Sequence, residues 1–249
     1  MNYGICPLSI VPMRIDPSDK GEMINQVLYG EHFKVLEIRK KWSRIRLSHD
    51  NYEGWIDNKQ YKLIEVEEYE AAENKIPVLA ADILQMVSCP DKNIISIPLG
   101  AQIGNLSITQ DTYDGNTVSQ KVEKPYFINT ALLYLKSPYL WGGRTPFGLD
   151  CSGFTQMVYR LNGHQLFRDA SQQASQGEPL SFIEESEPGD LAFFDNEEGV
   201  ITHVGLIMKD NYIIHAHGEV RIDRIDHSGI YNAEKRMHTH KLRVIKKII

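Results

Sequence analysis

The sequence predicts an α+β fold in which small all-β modules precede a larger mixed domain, and three observations carry that expectation. Residues 24–66 alternate short apolar runs with turn signals at period two, the signature of short antiparallel strands. Helical periodicity first appears over residues 126–136 and again behind Cys151, where Phe154, Met157, Val158 and Leu161 fall on one face. Strand-like runs then return over residues 191–194, 203–208, 211–217 and 241–249, so helices are followed by a meander. With 249 residues and 42% hydrophobic content, the chain has material for a sizeable core, and its length admits one large domain or several small ones.

Taken in order, Gln26-Val27-Leu28-Tyr29-Gly30-Glu31, Phe33-Lys34-Val35-Leu36-Glu37 and Trp42-Ser43-Arg44-Ile45-Arg46-Leu47 are the first strands. A polar turn, Ser48-His49-Asp50-Asn51-Tyr52, leads into Glu53-Gly54-Trp55-Ile56-Asp57, which completes a small barrel's worth of strands over residues 1–64. From Glu65 to Glu73 the chain turns acidic, a boundary with a short helix or linker at its end. Runs at 82–87, 93–101 and 106–108 suggest a second, degenerate β module, so residues 65–123 are expected to be linker plus that module. Beyond it, residues 124–249 form the mixed domain, with Ser137-Pro138 stopping the first helix and Gly163 the second.

Composition narrows the function. The net charge is −6 with no basic run, which excludes a phosphate-tracking surface and therefore nucleic acid as a partner; a compact polar ligand fits better. No run of about eighteen apolar residues is present, so no transmembrane helix is expected. The start, Met1-Asn2-Tyr3-Gly4-Ile5-Cys6-Pro7, has no secretion signal, so the chain as written is expected in the cytoplasm, and in the periplasm or outside the cell if its start was trimmed. Cys6, Cys89 and Cys151 lie far apart, which fits neither a disulfide framework nor a structural zinc module.

One cysteine has a reactive context. In Tyr139-Leu140-Trp141-Gly142-Gly143-Arg144-Thr145-Pro146-Phe147-Gly148-Leu149-Asp150-Cys151-Ser152-Gly153-Phe154, a glycine-rich approach delivers Cys151 to the first turn of a helix, with Asp150 suited to cap it. There the unpaired backbone N–H groups favour a thiolate and can donate to a developing oxyanion. A free cysteine is ordinarily a small buried apolar residue. A base to activate this one is available in His203, at the head of a strand. His215, twelve residues on in the following strand, would lie beside His203 in an antiparallel pair and orient it. His164, His227, His238 and His240 read as surface or structural.

The order Tyr-x-Trp-Gly-Gly, Asp-Cys-Ser-Gly-Phe, Thr-His-Val-Gly and a further His resembles the NlpC/P60 family of papain-like cysteine peptidases over about residues 124–249. The Gly30-Glu31 turn, the strand tryptophan and Glu53-Gly54-Trp55-Ile56 resemble a bacterial SH3-like (SH3b) domain. Together they are similar to the γ-D-glutamyl-L-diamino acid endopeptidases of the dipeptidyl-peptidase VI type. The resemblance implies Cys151 as nucleophile, His203 as general base and acid, and His215 as the orienting residue. It further implies substrate-binding roles for Tyr139 beside the nucleophile, Trp141 as an aromatic wall, Asp150 and Ser152 beside a terminal ammonium, and Glu22 and Tyr52 from the first module. In Phe167-Arg168-Asp169-Ala170-Ser171-Gln172-Gln173 it implies a contact from Ser171 to the α-carboxylate of D-Glu, with Ala170 departing from the family's serine. The bland reading of that segment is an Arg168–Asp169 surface ion pair and a serine capping a helix.

The implied partners are murein peptides bearing a free N-terminal L-Ala, and the implied reaction is hydrolysis of the γ-D-glutamyl-L-diamino acid bond, releasing L-Ala-γ-D-Glu in cell-wall peptide recycling. The alternatives are a secreted, broader murein hydrolase and a non-catalytic murein-binding protein. His215-Ala216-His217 and His238-Thr239-His240 give His-x-His pairs that raise a metal hydrolase, but no HExxH motif or carboxylate cluster accompanies them, so neither a metal nor any other cofactor is expected.

Overall fold

The computed structural model describes residues 2–249; the expected domain start at residue 1 lies outside the described residues. The chain divides into two compact units, one of residues 2–120 with Trp141–Thr145, the other of Lys121–Leu140 with Pro146–Ile249.

In the first unit, seven strands form one sheet: β1 (Asn2–Ile5), β2 (Ile10–Arg14), β3 (Met23–Leu28), β4 (His32–Ile38), β5 (Trp42–Leu47), β6 (Glu53–Asp57) and β7 (Lys62–Ile64). Their order is β3-β2-β6-β5-β4-β1-β7, and every pairing is antiparallel. Alternate residues turn inward, so Val11, Met13, Val27, Phe33, Val35, Ile45, Leu47 and Ile56 make its core. The Gly30-Glu31 turn has a physical reason. Gly30 takes a left-handed φ of 73°, and a side chain there would begin 1.8 Å from the carbonyl of Gln102. Glu31 next to it is buried, accepts from the Leu28 amide at 2.9 Å and pairs with Arg144 at 3.0 Å.

Helix α1 (Val66–Glu73) is closed at its start by Glu65 and Glu68, whose side chains reach each other's backbone amides. Strand β8 (Leu79–Ala80) pairs with β11 (Thr117–Val118), and β9 (Leu84–Ser88) with β10 (Ile94–Pro98). The expected third run of this region is not a strand: Leu106–Thr109 is a single helical turn, α2, closed by Gln110 at φ 61°. Three residues of alternating polarity are too few to separate the two periods. Tyr29, in the turn between β3 and β4, shares a core with Ala80, Val87, Ile97, Ala101 and Ile103, which joins residues 66–118 to residues 2–64 in one unit.

The second unit begins with α3 (Phe127–Leu132), shorter than the periodicity suggested because the chain turns through Tyr134 and a left-handed Lys136 before Ser137-Pro138. Two-residue strands β12 (Arg144–Thr145) and β13 (Gly148–Leu149) lie in the approach to α4 (Cys151–Leu161), and α5 (Ala170–Gln173) follows. Seven strands then make the second sheet: β14 (Glu178–Leu180), β15 (Leu191–Asp195), β16 (Ile201–Ile207), β17 (Tyr212–His217), β18 (Glu219–Asp226), β19 (Gly229–Asn232) and β20 (Met237–Lys247). The order is β14-β20-β15-β16-β17-β18-β19, and β20 also pairs with β19, so six of the strands close into a ring. One face of these strands carries Ala192, Phe194, Ile207, Ile213, Ile225, Ile230 and Ile245 as a core. The opposite face of β16 and β17 presents buried Val204, Leu206, Ile214 and Ala216, and α4 packs against these strands. The mixed α+β architecture is the one expected. No helix among the described residues is long and apolar enough to cross a membrane.

Candidate active site

Cys151 opens α4. Asp150 caps the helix by accepting from the Gly153 amide at 2.7 Å, which fixes the first turn and points its remaining amides at the thiol. Burial pushes the Cys151 thiol up to about 12, the nearby Asp150 charge adds to this, and backbone hydrogen bonds from Val204 and Ser152 oppose it. The sulfur therefore sits against the backbone of β16 next to His203.

His203, His215 and Asp223 share one face of three neighbouring strands. Gly205 lies directly opposite His215, and Ile213 opposite Asp223, so side chains at 203, 215 and 223 turn the same way. His203 Nε2 is 2.8 Å from His215 Nδ1, and His215 Nε2 is 3.1 Å from Asp223 Oδ2. Arg221 donates to both Asp223 oxygens, at 2.7 and 3.0 Å. Gly205 is required by this row, because a Cβ there would come within 2.9 Å of the His215 Cβ and 2.7 Å of Ile213.

The proton positions follow from the chemistry of the ends. A carboxylate only accepts, so His215 carries its proton on Nε2, and its Nδ1 accepts from His203 Nε2–H. Neutral His203 then has a bare Nδ1. Burial, then the neighbouring His215, His240 and His217, holds His203 well below the ordinary histidine range. Burial also lowers His215, against the hydrogen bond and charge of Asp223. Asp223 is pushed up by burial but held down to about 2 by His215 and Arg221. At neutral pH the resting pair is thus thiol and neutral imidazole, with an ionised carboxylate behind them, an arrangement suited to taking the thiol proton as sulfur attacks.

The other residues expected in the site divide between the units. In the second, Tyr139 is half-buried, and its hydroxyl is pushed up by burial and by the charges of Cys151 and Asp150, which it lies near. Ser152 donates to Asp150 at 3.3 Å. Ser171 stands exposed in the first turn of α5, and its neighbour Gln173 is buried, tying Thr155 to the Ser152 and Phe167 carbonyls. Arg168 corrects the surface-pair reading: it is 1% exposed and grips both Asp150 oxygens, at 2.9 and 2.7 Å, and Ser152 Oγ at 3.0 Å. Asp150 is therefore matched by a buried cation.

In the first unit, Glu22 accepts from Trp141 Nε1 at 2.6 Å, so those two expected residues meet. Trp141 belongs to a short segment held by Arg144, which is fully buried and bonded to Glu31 and to the side chain and carbonyl of Gln26. Gly142 of this segment has φ 75°, and a Cβ would fall 2.5 Å from the Met23 carbonyl. Tyr52 packs partly buried on the core of the first sheet.

Sequence reasoning missed Asp223, Arg168, Arg144 and His240. The second pair of every-other-residue polar side chains in β18, Arg221 and Asp223, was the available signal for the first. Among the described residues, no group of three or more His, Cys, Asp and Glu side chains is arranged to hold a metal ion.

A helix-borne thiol served by a strand-borne imidazole with a polar chain behind it defines a cysteine hydrolase of the papain-like kind. Residues 136–241 match the NlpC/P60 family, and residues 13–60 match the bacterial dipeptidyl-peptidase SH3 domain. The chain carries an NlpC/P60 domain behind an N-terminal bacterial SH3 domain, and its homologues are dipeptidyl-peptidases of that cysteine peptidase family. It is similar to dipeptidyl-peptidase 6 of Lysinibacillus sphaericus, 26% identical over 85% of this chain and 87% of that one. It is also similar to γ-D-glutamyl-L-lysine dipeptidyl-peptidase of Bacillus subtilis, 29% identical over 77% of this chain and 71% of that one. The crystal structure of an NlpC/P60 family protein from Bacillus cereus shares the fold with a TM-score of 0.78, at 18% identity over 99% of both chains.

Proposed function

We propose that the protein hydrolyses the γ-D-glutamyl-L-diamino acid bond of murein peptides that carry a free N-terminal L-Ala, releasing L-Ala-γ-D-Glu, in the recycling of cell-wall fragments. The observation that carries the reading is the row from His203 through His215 to Asp223, beside the α4 thiol that lies against the Val204 backbone. Relatives named γ-D-glutamyl-L-lysine dipeptidyl-peptidase, aligned over 77% and 80% of this chain, support the choice of bond.

In this reading Cys151 attacks the γ-carbonyl of D-Glu as its proton passes to His203 Nδ1. The amides at the start of α4 donate to the oxyanion. His203 returns the proton to the α-amine of the leaving diamino acid, and a water activated by the same imidazole then opens the thioester. His215 and Asp223 keep His203 in the productive tautomer and stabilise its imidazolium.

An amine that must meet a carboxylate excludes peptides extended at that end. Mass spectrometry of products from L-Ala-γ-D-Glu-L-Lys, beside the diaminopimelate peptide and N-acetylated versions of both, tests the reading. Release of L-Ala-γ-D-Glu from the free peptides alone is expected. Equal cleavage of acetylated peptide contradicts the amine requirement, and cleavage of neither contradicts the substrate class.

A further inference from the structure

We propose that His240 is a positioning residue for His203, stacking on its ring to hold the imidazole plane in which Nδ1 faces the thiol; the inference rests on the reading of His203 as the base. The two rings have centroids 4.3 Å apart and are inclined by 27°. The need for such a contact is geometric. His215 grips His203 only at Nε2, and a single hydrogen bond at one end of a ring leaves it free to swing about that bond. A flat ring stacked on one face removes that freedom, and Phe194, paired with His203 in the strand register with its ring 5.7 Å away, bounds the ring as well.

The fold delivers His240 to this spot through the closure of the strand ring. Strand β20 pairs with β15 as far as Asp195–Lys241 and with β19 at Ile230–His240, so position 240 stands where β20 leaves one neighbour for the other. A bulge between Phe193 and Phe194 sets which β20 side chains turn inward there. Thr239 Oγ1, 2.9 Å from His240 Nδ1, fixes the ring in turn.

The groups that face His240 are His203 on β16, His215 at 5.7 Å and His217 at 4.8 Å on β17, Asp223 on β18 and Lys235 in the turn before β20. Burial, and then the two β17 histidines, push His240 down to about 4, so it is neutral where the enzyme works. A neutral ring accommodates the imidazolium that forms on His203, whereas a cation there would oppose it.

The test compares His240→Ala with His240→Phe, which keeps a flat ring of similar reach and removes the titrating group. On L-Ala-γ-D-Glu-L-Lys, His240→Ala should lower kcat by about tenfold with KM little changed, because positioning acts on the chemical step. His240→Phe should restore kcat to within about threefold of the native enzyme. A histidine proton titration by NMR reads the same contact without substrate: removing the covering ring opens His203 to water, so its pKa should rise toward the ordinary value in His240→Ala and stay low in His240→Phe. Native kcat in His240→Ala, or a His240→Phe enzyme as impaired as His240→Ala, overturns the proposal, as does an unmoved His203 titration in His240→Ala. Failure of the native enzyme to cleave the peptide strikes the substrate reading alone, and the titration still decides the role of His240.

Discussion

His203 Nε2 lies 2.8 Å from His215 Nδ1, so one imidazole of the site is held by the other. The direction of that hydrogen bond is dictated from outside the pair by Asp223, which accepts from the far nitrogen of His215 and leaves the near one only a lone pair to offer. The Nδ1 of His203 is thereby kept bare by a carboxylate two side chains away, itself held by Arg221.

Asp223→Asn should therefore impair turnover without unfolding the protein. An amide in place of the carboxylate can present its NH2 to His215, which allows the opposite tautomer and a protonated Nδ1 on His203. A loss in kcat of about 10²-fold or more is expected, by the logic that makes the wrong tautomer costly in other triads. Steady-state kinetics beside a thermal melt checks it, and an unimpaired Asp223→Asn enzyme removes Asp223 from the chain.

Arg168→Met should destabilise strongly, because it strands a buried Asp150 carboxylate whose both oxygens the guanidinium now engages. Breaking one side of a buried pair costs about 3–5 kcal/mol, whereas replacing both sides is far milder. Denaturant melts of Arg168→Met, Asp150→Asn and the double variant read the coupling. Strict additivity of the two single losses would show that the pair is not energetically joined.

Acid should weaken the fold through the histidines. His203, His215, His217 and His240 all have lowered pKa values in the folded protein, chiefly by burial, so below the ordinary histidine range the unfolded chain binds protons that the folded one refuses. Stability present above about pH 6.5 is then lost as pH falls toward the folded values, which for His240 is about 4. Melting temperatures measured across this window should fall with acidity, with a shallower fall in His240→Phe. Equal slopes in the two proteins would mean that His240 does not titrate as the structure requires.

Much of the site could be read directly from the chain. Cys151 stood out because a glycine-rich approach, an Asp cap and a helical face follow one another in sequence, and these are local signals. Asp223 was hidden for a physical reason: on β18 the inward position 223 holds a charge and the outward position 222 an isoleucine, so the hydrophobic alternation runs backward there. Arg168 looked like a surface residue because its partner is 18 residues away, at the start of another helix, while the adjacent Asp169 caps α5. His240 reaches His203 only through the closure of β20 onto β19, which no short-range pattern encodes. In the first unit the Gly30-Glu31 turn was recognisable as a motif, but its cause, a close carbonyl of Gln102 and a buried Arg144, lies 72 and 113 residues further along.

The central claim is a covalent L-Ala-γ-D-Glu acyl group on Cys151, and acid quenching during turnover of L-Ala-γ-D-Glu-L-Lys followed by peptide mass mapping tests it most directly. The account predicts an adduct of that dipeptidyl acyl group on the peptide containing Cys151, absent in Cys151→Ala, which should also release no product. Product release by Cys151→Ala, or an adduct on Cys6 or Cys89 in its place, would contradict it.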